Sequence, residues 1–411
     1  MNYRHRLLAA KLHRLFDRFP VVIVAGARQV GKTTLLHAEF PNLNAVEFDP
    51  AVDVANARQD PELFLDNHSC PMILDEIQYA PEVVAALKRR VDRSKRTGMY
   101  LVTGSQQWSV LRTASESLAG RAVFLDLEGF CLIELAGRPV ERHWLSRYLE
   151  DPEKFVASPV ERLVGKETLF ERLWCGWLPG VQEMSAEAAV EFHRAYLRTY
   201  IERDVRLLAE VGDWQQFGRF VRLAAALTAQ EQNYSQLGRE IGITPQTAQR
   251  WLSMLRATFQ WFETPAYTGN AVKRISARPK GYLADTGFAC ALQMLSSPLA
   301  LAGHPLSGAL FETAVAGEIR KLAAALATPP AMYHWRSHGG AEVDLLLERD
   351  GRFYPIEIKL TSRPGKGHAR GIQAFRETYP RLRIAPGLIV APCERSLQVA
   401  DHAWAMPWDP L

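Results

Sequence analysis

A strand, a loop bounded by glycines and a helix follow one another near the start of the chain, and this succession most constrains its fold. The strand is the apolar run Val21–Ala25, and the helical stretch begins with Thr34-Leu35-Leu36. The eight residues between them form the pattern G-x-x-x-x-G-K-T, whose glycines allow backbone N–H groups to surround phosphate oxygens. The N-terminus of the following helix adds partial positive charge. The sequence therefore predicts an ATP-binding loop made of Gly26, Ala27, Arg28, Gln29, Val30, Gly31, Lys32, Thr33 and Thr34.

An acidic motif supplies the second half of this predicted site. The apolar run Met72–Leu74 is followed by Asp75 and Glu76, at the strand end where ligands bind in open α/β sheets. We expect Lys32 to reach the β- and γ-phosphates and Thr33 to ligate Mg²⁺. Asp75 would hold the hydrated Mg²⁺, and Glu76 would orient the attacking water. The predicted cofactors are ATP and Mg²⁺, and the predicted reaction is hydrolysis of ATP.

Length and composition limit the class of protein. A chain of 411 residues is expected to form two or three domains at roughly 150 residues each. Its apolar runs all fall short of the ~18 residues of a membrane span, so no membrane partner is expected. The five cysteines are scattered without a C-x-x-C pair, which favours a reducing, cytoplasmic location. The net charge of +4 permits a nucleic-acid partner without arguing for one.

Two further strand-like runs lead to a family resemblance. Met99–Thr103 is followed by Gly104-Ser105, and Ala122–Leu127 is preceded by Arg121. These features resemble the AAA+ ATPases. The resemblance implies that a polar residue after the third strand senses the γ-phosphate, for which we prefer Ser105 to Thr103. It also implies that Arg121 reaches the ATP of a neighbouring subunit, although a surface arginine fits the sequence equally well.

The same resemblance suggests how the first half of the chain is organised. Strands alternate with helical segments up to about residue 135, which predicts a doubly wound α/β core over residues 1–136. Residues 137–215 resemble a helical lid and linker, in which Arg203 is a candidate phosphate contact or part of a solvated face. No role is assigned to residues 137–165. A homo-oligomer, for example a hexamer, is expected if the arginine finger works between subunits.

Residues 216–290 are expected to form a winged helix-turn-helix. Ser235–Ile241 would be a short helix, Gly242-Ile243 the turn, and Thr244 with Pro245 the start of a second helix. Periodic apolar positions would face the core: Ala248, Trp251, Leu252 and Leu255. The opposite face and the expected wing supply the candidate DNA contacts: Gln246, Gln249, Arg250, Arg256, Lys273 and Arg274. DNA is therefore the expected partner. A module that packs only against other domains remains an alternative.

A pair of alternating segments near the C-terminus predicts a β-hairpin. Residues 342–347 and 353–360 flank Asp350-Gly351, a favoured two-residue turn. Paired positions then sum to 701, which places Asp344 opposite Glu357 and Glu342 opposite Lys359. Carboxylates that face each other at ~4.5–5.5 Å between Cβ atoms repel unless a cation or a proton intervenes. We expect a divalent metal ion there, with Lys359 supporting a nucleophilic water.

The spacing D-x12-E-x-K resembles the PD-(D/E)XK nuclease fold. The resemblance implies a third acid on a preceding helix, for which Glu312 is the candidate and Glu318 the reserve, so the expected metal ligands are Glu312, Asp344 and Glu357. Gln373 is a weaker match in a following helix. The nuclease-like domain would span residues 300–411. The alternative is a structural, salt-bridged hairpin in which Lys359 neutralises Glu342.

Taken together, the chain resembles a large bacterial and archaeal AAA+ family whose C-terminal half is a domain of unknown function. Further phrases shared with it are residues 176–179, 200–205, 280–287 and 335–337. The fold class is α/β: a doubly wound P-loop sheet with a helical lid, a winged helix and a nuclease-like end. The leading hypothesis is an ATP-driven motor or remodeller acting on DNA. The alternatives are a nucleotide-controlled regulatory switch that binds a protein or an operator, and an ATP-regulated, metal-dependent endonuclease.

Overall fold

The computed structural model describes residues 3–48, 55–105, 118–139, 142–163, 168–200, 213–270, 274 and 277–411. Its strands are β1 (Val21–Ala25), β2 (Asn44–Glu47), β3 (Met72–Asp75), β4 (Tyr100–Gly104), β5 (Ala122–Asp126), β6 (Gln230–Glu231), β7 (Trp261–Thr264), β8 (Lys280–Leu283), β9 (Ala331–Arg336), β10 (Glu342–Arg349), β11 (Arg352–Ile358), β12 (Arg383–Ile384), β13 (Gly387–Ala391), β14 (Leu397–Ala400) and β15 (Ala403–Pro407).

Its α-helices are α1 (Ala9–Arg18), α2 (Lys32–Glu39), α3 (Ala55–Gln59), α4 (Pro61–Asp66), α5 (Glu82–Ser94), α6 (Leu132–Leu135), α7 (Trp144–Glu150), α8 (Pro152–Ala157), α9 (Leu169–Cys175), α10 (Ala186–Thr199), α11 (Trp214–Ala226), α12 (Tyr234–Ile241), α13 (Pro245–Ala257), α14 (Thr286–Leu292), α15 (Pro298–Ala302), α16 (Ser307–Ala325) and α17 (Arg370–Thr378). Short 3-10 helices cover Ile77–Tyr79, Pro179–Val181 and Lys366–Ala369. None of the helices within the described ranges combines the length and the apolar character that a bilayer crossing requires.

The N-terminal part is built on a parallel sheet in the order β2-β3-β4-β1-β5. Every residue of β1, β3 and β4 is buried, because apolar strands at the centre of a parallel sheet are covered on both faces. Val21, at the start of β1, pairs with Tyr100 of β4 and with Ala122 of β5. The strands therefore end together at one edge, which carries the residues that follow β1, β3 and β4. The α/β fold with a parallel sheet predicted for this part is confirmed.

The middle part combines α11, α12 and α13 with a small antiparallel sheet in the order β6-β8-β7. Gly242, with a φ of 76°, ends α12. Thr244 begins α13 by accepting a hydrogen bond of 3.1 Å from the N–H of Thr247, and Pro245 follows where a missing N–H costs nothing. The apolar positions expected to face the core are buried: Ala248, Trp251, Leu252 and Leu255. The two helices and their turn lie where the sequence predicted them, with α12 starting one residue early, at Tyr234.

The C-terminal part is a mixed sheet in the order β14-β15-β13-β11-β10-β9, with β12 beside β11. β10 and β11 form the predicted hairpin, since Leu345 pairs with Ile356 and Arg349 with Arg352. The turn residues Asp350 and Gly351 have φ values of 52° and 72°, as a type I′ turn requires. The sequence expected one buried face, but residues of both faces are buried from Val343 to Leu347.

Helices α7 and α8 belong with this C-terminal sheet. The hydroxyl of Tyr148 donates to the carbonyl of Pro386 at 2.8 Å, and that of Tyr354 donates to the carbonyl of Leu149 at 3.0 Å. Arg162, just beyond α8, forms two hydrogen bonds of 2.9 Å with Asp409. Within the segment to which the sequence assigned no role, residues 142–163 therefore pack against the C-terminal part.

Residues 176–179 and 280–287, two of the phrases singled out in the sequence, meet at a buried junction. The carboxylate of Asp285 accepts hydrogen bonds from the N–H of Trp177 at 2.7 Å and of Phe288 at 2.8 Å, so it also caps α14. Gly176 has a φ of 82°, and a Cβ there would lie 2.4 Å from the Asp285 carboxylate. The carbonyl of Trp177 in turn accepts from the N–H of Phe130 at 2.8 Å. This junction joins the edge of the N-terminal sheet to the middle part.

We expect Asp285→Ala to destabilise the chain by about 2–4 kcal/mol, because it removes a helix cap and leaves the buried Trp177 N–H without its acceptor. Asp213→Ala is the matched control. Asp213 caps α11 from an exposed position, through Gln216, and its loss should cost about 1 kcal/mol. The measurement is urea unfolding followed by tryptophan fluorescence. An equal loss of unfolding free energy in the two variants would contradict a junction at Asp285.

Candidate functional site

The phosphate loop is shaped by two glycines. A Cβ on Gly26 would lie 2.1 Å from the carbonyl oxygen of Leu127, and Gly31 has a φ of 90°, which favours glycine. Lys32 is the first residue of α2 and is buried. Its ammonium donates to the carbonyls of Gly26 and Ala27, both at 3.0 Å. The predicted lysine is thereby held across the mouth of the loop, above the N-terminus of a helix.

Thr33 and Asp75 lie side by side at the same edge. The Thr33 hydroxyl donates to the Asp75 Oδ2 at 2.7 Å, although 42 residues separate them in the chain. A hydroxyl and a carboxylate oxygen this close, at the end of a parallel sheet, suit a hydrated Mg²⁺ that also binds phosphates. The residues present therefore fit the predicted cofactor.

A hydrogen-bond network lies behind these two residues. The Thr103 hydroxyl donates to Asp75 and accepts from the N–H of Glu76 at 2.9 Å. The Gln78 amide donates to the Glu76 carboxylate and to the Ser105 hydroxyl, the latter at 3.1 Å. Glu76 has a φ of 57°, a conformation that costs energy in a residue other than glycine. Both sensor candidates thus belong to one network, and the choice between them stays a prediction.

Gln78 and Arg6 are part of this site although the sequence did not indicate them. The Arg6 guanidinium, which is buried, donates to the carbonyl of Val30 in the loop at 2.8 Å and to that of Glu128 at 2.6 Å. It also forms an ion pair with Glu134, at 3.2 Å. No motif covers these contacts, since Arg6 is 24 residues from Val30 and 122 from Glu128.

The proposed arginine finger lies at the other end of the sheet. Arg121 directly precedes β5, whereas the phosphate loop follows β1, which runs parallel to it. The Arg121 guanidinium makes two hydrogen bonds to the exposed Asp92, at 2.5 and 3.1 Å. A strand of five residues separates the two edges by roughly 13–17 Å, so Arg121 does not reach the phosphate loop of its own chain, and its role between subunits stays a prediction.

The candidate DNA contacts fall into two groups. Gln246, Gln249 and Arg250 are exposed on α13. Arg256 is instead paired with Glu263 at 2.7 Å, and Arg274 stacks on Tyr267, with 4.3 Å to the ring centroid. These two arginines each already have a protein partner, and their contact with DNA stays a prediction. Lys273 and Arg203 lie outside the described residues.

The acids of the C-terminal hairpin do come together, but with two lysines. Asp344 Oδ2 accepts from the N–H of Ile358 at 2.8 Å and from Lys359 at 2.9 Å. Lys359 also contacts Glu357, at 2.8 Å. The expected pair of Lys359 with Glu342 is therefore wrong. Glu342 is exposed, whereas the ammonium of Lys359 turns inward to the two buried acids.

The second lysine comes from outside the predicted motif. Lys280 of β8 contacts Glu312 at 2.5 Å and Asp344 at 3.3 Å. The Tyr282 hydroxyl donates to Glu312 at 3.0 Å. Glu312 is thus confirmed as a neighbour of the hairpin. The reserve candidate Glu318 is wrong, because it accepts from the N–H of Leu132 at 3.0 Å on another side of α16.

Burial and neighbouring charges shift the pKa values of these acids in opposite directions. Burial alone would raise the pKa of Asp344, but Lys280, Lys359 and the Ile358 N–H outweigh it and lower that pKa to about 2. Burial and the Asp344 charge raise the pKa of Glu312 to about 7 and raise that of Glu357 well above its usual range. The cluster favours one firmly ionised acid beside two ammonium groups.

The expected metal centre does not fit this donor set. Within the described ranges, no group of three or more histidine, cysteine or acidic residues is arranged to hold a metal ion. Both oxygens of Asp344 already accept from lysines, and one Lys280 ammonium lies between Asp344 and Glu312. The three acids expected as ligands, Glu312, Asp344 and Glu357, are compensated by ammonium groups instead.

We expect Gln78→Leu to lower kcat for ATP by about 10- to 100-fold with little change in ATP affinity, because the amide orients Glu76 and Ser105 and small misplacements near reacting atoms are costly. Glu76→Gln should lower kcat further, by about 10²- to 10⁴-fold. Gln59→Leu, at an exposed glutamine, is the control. Steady-state ATPase kinetics give both constants. A rise in KM with kcat unchanged would instead assign the amide to nucleotide binding.

Comparison with known proteins agrees with the nucleotide site. A family model described as an AAA domain matches residues 18–136. Domains of unknown function match residues 166–299 (DUF8612) and 307–411 (DUF4143). Among solved structures, the Walker-type ATPase of Pyrococcus abyssi is similar with a TM-score of 0.40 and 14% identity, over 69% of this chain and 94% of that chain.

Two mycobacterial proteins match along the whole chain. They are uncharacterized protein Rv2008c of Mycobacterium tuberculosis and uncharacterized protein Mb2031c of Mycobacterium bovis. Each is 30% identical over 412 aligned residues, which cover 100% of this chain and 85% of the relative. The chain therefore belongs to the same family as these two proteins, and it is of the P-loop ATPase type, with an AAA domain and the C-terminal domain of unknown function DUF4143.

Proposed function

We propose that the chain is an ATP-hydrolysing AAA+ protein that acts on DNA as a motor or remodeller. The observation that carries the proposal is the exposed polar face of α13, with Gln246, Gln249 and Arg250, on the second helix of a helix–turn–helix. Glutamine and arginine side chains suit base edges and phosphates in a major groove. The order of helices and strands in the middle part also suits a winged helix, with β7 and β8 flanking the wing.

The phosphate loop lies beside the part that would bind DNA. Together they line a cavity of about 20 Å³, to which Ala27 and Val30 of the loop contribute. Tyr196, Gln260 and Asp285 close it from the other side. A rearrangement of the loop around phosphates would therefore alter a cavity that the middle part also lines, which suits a motor or a switch.

A regulatory switch is the rival function, favoured by the ion pairs that fix the C-terminal part to the ATPase core. Arg320 of α16 pairs with Glu128 at 2.5 Å, and Lys321 donates to the carbonyl of Phe130 at 2.6 Å. Through these contacts, a change in the ATPase core on nucleotide binding would reach the C-terminal part, which suits a switch that changes state once for each nucleotide bound. The nuclease-like resemblance of the hairpin supports a binding platform better than a cutting site, because lysines compensate its acids.

The ATPase rate should rise when the preferred DNA is added, and the gain should shrink as salt increases, because phosphate contacts release counterions. We would measure turnover without nucleic acid and with single strands, duplex and branched DNA. Arg250→Ala should raise the DNA concentration for half-maximal stimulation by about tenfold. Arg219→Ala, at an exposed arginine of α11, is the matched control. Turnover indifferent to every DNA form would favour the switch.

If subunits share their sites, Arg121→Ala should lower kcat by about 10³-fold or more, the range of known arginine fingers. Asp92→Ala removes the same surface ion pair and should leave kcat unchanged, which separates a finger from a simple pair. Mixing Arg121→Ala with Lys32→Ala subunits should restore turnover above that of either alone. No restoration in the mixture, or an equal effect of both single variants, would contradict a finger acting between subunits.

A further inference from the structure

We propose that Lys280 is the built-in cation of the acid cluster formed by Glu312, Asp344 and Glu357, and that it excludes a divalent metal ion from this cluster. The proposal concerns the C-terminal site alone and does not depend on whether the chain acts on DNA. It reverses the expectation that this hairpin is a metal centre.

The first argument is position. The Lys280 ammonium lies 2.5 Å from a Glu312 oxygen and 3.3 Å from an Asp344 oxygen. A metal ion shared by these two acids would need the same place, since carboxylate ligands must approach it to about 2.0–2.6 Å. Lys280 and a divalent ion are therefore mutually exclusive partners of Glu312 and Asp344.

The second argument is burial. Only 9% of the Lys280 side chain, 14% of Glu312 and 2% of Asp344 are exposed. Charges removed from water to this degree persist only when they are paired and hydrogen-bonded. Each group meets this condition, because the Tyr282 hydroxyl adds a hydrogen bond to Glu312 at 3.0 Å and the Ile358 N–H adds one to Asp344 at 2.8 Å. The cluster is complete as a protein-only network.

The third argument is the origin of the lysine. Lys280 lies on β8, in the middle part of the chain, whereas Glu312 and Asp344 lie on α16 and β10. The two ion pairs therefore tie the small antiparallel sheet to α16 and to the C-terminal sheet. Lys359, by contrast, lies just beyond β11 and pairs within the hairpin itself, with Asp344 and Glu357. Lys280 alone of these two lysines bridges separate parts of the chain.

The test measures Mn²⁺ binding to the full-length, nucleotide-free chain by the loss of the free-ion signal in electron paramagnetic resonance. All proteins carry Asp75→Asn, which removes the metal ligand at the phosphate loop. With Lys280 intact, we expect no bound Mn²⁺ at the C-terminal site. Lys280→Met should gain one Mn²⁺ per chain, with an affinity at least about tenfold above the detection limit at which the protein with Lys280 intact shows no binding. Lys280→Met combined with Glu312→Gln should lose that gain.

Lys359→Met is the matched control, because it removes an ammonium from the same cluster but leaves Lys280 between Glu312 and Asp344. It should not gain Mn²⁺. Circular dichroism establishes that each variant is folded. A folded Lys280→Met that binds no Mn²⁺ would overturn the proposal. Should Lys280→Met not fold, the protein with Lys280 intact decides: Mn²⁺ binding that Glu312→Gln abolishes overturns it, and absence of binding supports it.

Discussion

Charges buried between the parts of the chain are the constraint on which this architecture depends. A charged side chain that is removed from water must find a partner of opposite charge or several hydrogen bonds. Helix α16 supplies such partners in two directions. Glu312, in its second turn, meets Lys280 of the middle part, whereas Arg320 and Lys321, about 12–14 Å further along the helix axis, meet Glu128 and the carbonyl of Phe130. Helix α16 thus contacts both the middle part and the ATPase core.

Arg6 connects the phosphate loop to the segment that α16 contacts. The guanidinium holds the carbonyl of Val30 in the loop and that of Glu128, and it pairs with Glu134. Glu128 is also the residue that Arg320 binds. A change in the loop at Val30 must therefore be accommodated by Arg6 and by the segment that α16 contacts. This chain of direct bonds connects the phosphate loop to the C-terminal part.

The sequence predicted well those features that short-range rules determine. The glycine spacing of the loop, the cap at Thr244 and the turn at Asp350-Gly351 each depend on a few neighbouring residues, and each lies where it was expected. The hairpin register followed from its turn, which is why Asp344 and Glu357 come together. The roles of Ser105 and of Arg121 between subunits depend on a bound nucleotide or a second chain and stay predictions.

Contacts between distant parts of the chain were missed for one physical reason. Lys280 is 64 residues from Asp344, and Arg6 is 122 residues from Glu128. No periodicity or motif spacing encodes such a pair, because the partners meet only after separate elements have packed. Because the contact of Lys280 with Asp344 was missed, the hairpin was assigned a metal ion. Two facing acids without Lys280 need a metal ion to balance their charge, whereas the same acids beside Lys280 do not.

The acid cluster also shows why a matching motif leaves function open. The spacing of acids and lysine places three carboxylates near one another. A nuclease site and a purely structural cluster of ion pairs share this arrangement. What separates the two is the identity of the cation, and here the nearest cation to Glu312 is a side chain. Removing one member of a buried ion pair typically costs about 3–5 kcal/mol, whereas replacing the whole pair by apolar residues is often neutral. A network of this kind therefore adds little stability over an apolar core. In this chain it joins β8 to α16 and to the hairpin. Together with the bridge between Ala266 and His334, it links the middle part to the C-terminal sheet.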